Sequence, residues 1–279
     1  MKSRWGAAMA LACLTAAAQE PRELGCEPSA EVKRALAEYA LRDRPELDWA
    51  ARQKLRREIM GRLLAQYPGN VHVHRTRIDR AIWHFPDEAG QIREAYRGQA
   101  SEHPEDPLAL CAAGHALVGH DTPEAIRLLE RSLDRLPSFP WPHLVLAQAR
   151  LSGRFADKEK ALEHIAAFFK ACPASLDEEA LVLLSENSPH DLQGQVAQAL
   201  RARLASSADP AELRAYSTIW AIEFRTRPVK EHPELRRQVA ADAARLASLA
   251  GADAPLLEVA DNGLKQGNAP AVRVRAAED

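Results

Sequence analysis

Aromatic residues are scarce: Phe, Trp and Tyr make up 5% of the 279 residues. Runs of Val, Ile, Thr and Tyr of the kind that form strands are nearly absent, which argues against a sheet-based fold. Cysteine is rarer, four in all, and no two stand at CxxC spacing, so neither a zinc ribbon nor a thioredoxin-type motif is written here. Beyond the N-terminus no apolar run reaches the ~18 residues that span a bilayer. Neither charge dominates, with 37 Lys and Arg against 39 Asp and Glu. Without a basic surplus, binding to nucleic acid finds no support. The G-x-S-x-G, P-loop, dinucleotide and H-E-x-x-H patterns are missing, so no cofactor, metal or catalytic residue is expected.

What is present is apolar and charged in globular proportion, 46% and 27%. Ala, Leu, Arg and Glu recur, all good helix formers. The start reads as a secretory signal over residues 1–18: Lys2 and Arg4, then small apolar residues to Ala17, with Ala16-Ala17-Ala18 as an A-x-A cleavage site. Cleavage there removes two bases and no acid, taking the formal net charge from −2 to −4. A lipid anchor on Cys13 is the lesser alternative, because Ala10-Leu11-Ala12 departs from a lipobox. The expected location is therefore exported, periplasmic or extracellular, where disulfides are permitted. Cys111 and Cys172 fall in apolar helical patterns and read as buried thiols. Cys26 is left with no identified partner.

The chain repeats. Pro68, Pro104, Pro137, Pro173 and Pro210 are spaced by 36, 33, 36 and 37 residues. Before Pro137, Ala125, Leu129, Leu133 and Leu136 mark one helical face. Before Pro173, Ala161, Ile165, Phe168, Phe169 and Cys172 do the same. Ala125 and Ala161 are 36 apart, in register with the prolines. A helix before each member, 107–118 and 142–151, is joined to it by a turn holding Gly119 or Gly153.

Ala113, Ala125, Ser132 and Pro137, then Ala149, Ala161 and Pro173, resemble the small-residue and proline positions of the tetratricopeptide repeat. The usual aromatic positions of its first helix hold Ala109 and Ala116, and Phe168 replaces the second small residue. The resemblance implies an all-α fold: stacked antiparallel helical hairpins forming a superhelical solenoid. It extends over 49–266, with 19–48 as a lead-in, flexible at its start, and 267–279 as a fraying tail. Further helix pairs are expected at 70–102, 176–205 and 211–250, with a last helix at 256–266.

The same resemblance implies a groove lined by the first helix of each pair. The residues that fall there are Arg77, Arg80, His84, Leu110, Leu117, Leu146, Arg150 and Arg154. A basic and apolar groove suits an acidic or C-terminal peptide held by arginine forks. His72, His74, His115 and His120 lack metal-ligand spacing and read as surface or turn residues. Ser188, His190 and Asp191 are adjacent in sequence, as turn and cap residues are, not a convergent triad. Trp83, Trp141 and Trp220 read as packing anchors. The expected function is a protein-binding scaffold or adaptor that is not an enzyme. The alternative is an accessory module of an envelope redox enzyme of thioredoxin-like type whose catalytic domain lies elsewhere.

Overall fold

Alternating helical faces and proline punctuation predict a helical protein, and the computed structural model is one. It describes residues 23–39, 46–213, 215–226 and 232–248. The expected signal at 1–18, Cys13, the helix at 256–266 and the tail lie outside those residues. In order come α1 (Ala30–Tyr39), α2 (Trp49–Gln66), α3 (Val71–His84), α4 (Ala89–Glu102), α5 (Pro107–Leu117), α6 (Thr122–Arg135) and α7 (Pro140–Leu151). They continue as α8 (Lys158–Ala171), α9 (Glu178–Asn187), α10 (His190–Leu204), α11 (Pro210–Leu213), α12 (Tyr216–Thr226) and α13 (Pro233–Ser248). Among the described residues no strand forms, and the β-type contact is an isolated parallel bridge between Glu23 and Asn70.

The helices start where the sequence offers caps. Asp48, Asp106, Asp121, Asp157 and Asp177 each accept a backbone N–H in the first turn of α2, α5, α6, α8 and α9. Such a cap answers one of the four donors a helix start leaves open. Asn70 does the same for α3, accepting from His72 and Val73. Gly119 and Gly153 take positive φ, 78° and 61°, where α5 and α7 end. A side chain there would meet the left-handed backbone penalty.

Short turns make neighbours antiparallel: α5 packs on α6 and α7 on α8, with α4 against α5 and α6 against α7. The small residues sit at the crossings. Ala113, Ala125, Ala149 and Ala161 are fully buried. A Cβ on Gly114 would lie 2.6 Å from Leu129 Cγ, so only glycine allows α5 and α6 this approach. Ser132 Oγ donates to the Pro107 carbonyl at 2.7 Å. Where Phe168 replaces the small residue, its ring packs 5.4 Å from that of Trp141. Trp141 and Trp220 are both buried, as packing anchors are.

Two expectations need correcting. The lead-in contains α1, whose Val32 and Tyr39 join Ile59, Met60, Leu63 and Val73 in a core of their own. A ten-residue helix is weak alone and owes its order to this packing. The long helix expected from 211 to 225 is broken into α11 and α12.

Candidate binding surface

The described residues ahead of α1 are held in place. Glu23 to Pro28 form a strap, bent at Gly25 to Glu27, across the ends of several helices. The Glu23 carbonyl accepts from Val71 N at 3.1 Å, and Asn70 Nδ2 donates to its carboxylate at 2.5 Å. The Gly25 carbonyl accepts from Trp141 Nε1 at 2.8 Å and from His72 Nε2 at 3.2 Å. A carbonyl only accepts, so this contact fixes His72 as the Nε2–H tautomer. Cys26 is bonded to Cys172, 146 residues away. The Glu27 carboxylate accepts from Arg203 Nη1 at 2.7 Å and from Leu176 N.

The expectation that Cys172 is a free core thiol is thus corrected: it caps α8 and reaches the strap. Cys111 does remain a buried thiol, and burial pushes its pKa up to about 12. Beside the strap is a cleft of about 310 Å³, walled by Trp141, His72, Lys33, Arg203, Asp177 and Glu212 among others. His72 is not a surface histidine. Burial and the nearby Arg75 lower its pKa to about 4, so it is neutral at physiological pH. His74 is likewise buried, bonded to Tyr96 and to the Pro68 carbonyl.

Beneath the strap, Arg75 joins α3 to the start of α9. Its guanidinium meets Asp177 at 2.8 Å and Glu179 at 3.4 Å, and covers the Trp141 ring at 3.9 Å. Asp79 bonds the buried His115 at 2.8 Å. Burial raises the Asp79 pKa, but His115 and Arg75 outweigh it and hold the group below its usual value. Glu179 moves the other way, raised by burial and by Asp79. Asp79 and Glu179 keep 38% and 44% of their side-chain surface exposed, while Arg75 beneath them keeps 9%. Among the described residues no three metal-ligating side chains converge.

The sequence-predicted groove residues separate into two groups. Leu110, Leu117 and Leu146 are fully buried, so they line no open groove. The reason is packing: α5 is flanked by α3, α4, α6 and α7, and Leu108 to Leu117 are all buried. The arginines remain nearer the surface. Arg77 lies 5.3 Å over the Tyr96 ring, Arg80 is exposed, and Arg154 rests on Phe155. Arg150 is engaged with Glu130 at 3.1 Å. The side chain of His84 lies outside the described residues. Sequence reasoning missed the strap, Arg75 and Arg203, whose partners are far away along the chain. The unassigned Cys26 was the one local signal.

No protein-family model, curated protein or solved structure matches this chain.

Proposed function

We propose that this chain is an exported scaffold of tetratricopeptide-like architecture that binds an extended segment of a partner protein. The observation that carries the reading is the strap: the helical array already holds one acidic non-helical segment, its own. It holds it by the means that peptide-binding surfaces use, namely donors to a main-chain carbonyl and a guanidinium to a carboxylate. Paired helices with small residues at the crossings support the repeat architecture. The Cys26–Cys172 bond supports export, because such bonds persist in oxidising compartments.

The partner segment in this proposal carries acidic groups, met by the accessible guanidinium groups of Arg77, Arg80 and Arg154. Affinity capture with residues 19–279 from an extract of the exported compartment tests it, beside a variant with these three changed to Glu. A specific partner recovered by the native chain and lost in the variant is expected. A partner that survives the charge reversal refutes the arginine assignment. Recovery of no specific partner refutes the scaffold reading.

A further inference from the structure

Helix α2 buries two polar side chains in a place that gives them nothing to bind. Gln53 and Arg56 are each 6% exposed and lie one turn apart, on the stripe that continues to Met60 and Leu63. Neither amide atom of Gln53 has a hydrogen-bond partner, nor has Nε of Arg56. Among the described residues Arg56 has no carboxylate partner at all. Its described neighbours make this worse: Arg52 on α2 and Arg80 on α3 both repel it, against the Tyr39 phenol in its favour. Arg80, too, has no ion-pair partner among the described residues.

A guanidinium stays charged at any physiological pH, so it cannot relieve its burial by losing a proton. A native protein rarely buries a charge without a partner. The other buried arginine, Arg75, meets Asp177 and Glu179 although its Nε is also unpartnered, and the partly buried Arg201 meets Glu223 and Asp242. The orphan atoms specify the missing group. Arg56, Arg80 and the Gln53 amide N–H call for an anion, and the Gln53 carbonyl calls for a donor beside it. On the same helical stripe, four residues before Gln53, Trp49 is 66% exposed, an apolar rim to this position. A carboxylate with an adjacent N–H, as a peptide's C-terminal residue provides, meets all of these demands. Inorganic phosphate meets only the first.

We propose that Gln53, Arg56 and Arg80 form a carboxylate-binding site between α2 and α3, rimmed by Trp49, that takes the carboxylate end of a peptide. This rests on the scaffold reading for the bearer of the carboxylate, but the site itself is tested without any partner. The probes are N-acetylglycine, which has both carboxylate and N–H, acetate, which lacks the N–H, and inorganic phosphate. The measurement is the unfolding midpoint of the chain against probe concentration at fixed ionic strength. A ligand that binds only the native state raises that midpoint.

The expected result is a saturable rise with N-acetylglycine, a smaller one with acetate, and loss of both in Arg56→Met. Gln53→Leu is expected to erase the preference of N-acetylglycine over acetate while keeping some response. Because Met fits a buried aliphatic stripe, Arg56→Met is expected to fold and to unfold no lower than the native chain when no anion is added. An Arg56→Met chain that responds like the native one overturns the site. So does one that unfolds at clearly lower temperature without anion, since Arg56 would then be satisfied internally. Equal response to phosphate overturns the peptide assignment, and no response to any probe overturns the site outright. A confirmed site with no partner captured would remove the scaffold reading and leave this one standing.

Discussion

Two buried arginines on adjacent helices have opposite surroundings. Arg75 on α3 is enclosed by Asp177, Glu179 and the face of Trp141, and the strap closes over it. Arg56 on α2 exposes as little surface, beside an amide whose two polar atoms are both unmatched among the described residues. In the first region the charge is met from within the chain, by two carboxylates more than a hundred residues away. The second is left for something from outside. Burial of a charge is therefore no guide to its role until its partners are counted.

The largest effect should come from unclipping the completed region. The Cys26–Cys172 bond closes a loop of 146 residues. The chain-entropy argument gives such a bond about 4–5 kcal/mol. The Cys26→Ser, Cys172→Ser double variant should unfold at lower denaturant by that amount, and reductant should bring the native chain down to it. A change below ~1 kcal/mol would mean that the strap is not held in this way.

Arg75→Met should cost about 3–5 kcal/mol, because it leaves Asp177 and Glu179 facing each other without their cation. Arg56→Met, chemically the same change, should cost nothing or gain ~1 kcal/mol. Equilibrium denaturation of the two variants side by side reads the contrast directly. Equal losses would dissolve the distinction between the regions.

Acid should also act on the strap side. His72 titrates at about 4 in the folded chain, below its ordinary 6.5. The unfolded chain thus takes the proton first as pH falls. Its contribution is present above pH 6.5 and is lost as pH drops toward 4, about 3 kcal/mol in all. His164, also lowered to about 4, adds to the same window, as do His74 and His143 in direction. Stability followed from pH 7 to 4 should therefore fall less steeply in His72→Gln than in the native chain.

Most helix positions were legible because their causes are local. Prolines and glycines at the turns, and small residues at fixed spacing, place α3 through α10 to within a few residues. The strap, Arg75 and Arg203 were not legible, because periodicity tells which face is buried and not against what. The groove leucines show the same limit from another side. Helix α5 reads LALCAAGHAL after its proline, apolar almost all round, and such a helix is enclosed by neighbours. That pattern was available in the sequence and excludes Leu110 and Leu117 from an open face. Helix α1 escaped notice although Val32, Ala35, Leu36 and Tyr39 give it an apolar stripe at helical spacing, which packs against α2 and α3.

The smallest effect makes the sharpest comparison, since it uses one substitution at two buried glutamines. Gln193, 3% exposed, donates from Nε2 to the carbonyls of Leu184, Ser185 and Ser188 and so holds the turn from α9 to α10. Gln193→Leu strands the Ser185 and Ser188 carbonyls, while Leu184 keeps its bond from Ser188 N, and should cost about 1–3 kcal/mol. Gln53 is equally buried and bonds nothing, so Gln53→Leu removes two unmet polar atoms for an apolar side chain of similar size. It should leave stability unchanged or raise it by ~1 kcal/mol. Denaturant midpoints of the two variants measure the difference. If Gln53→Leu costs as much as Gln193→Leu, the amide is matched in solution by groups of the chain itself. The α2–α3 region would then be as complete as the one around Arg75.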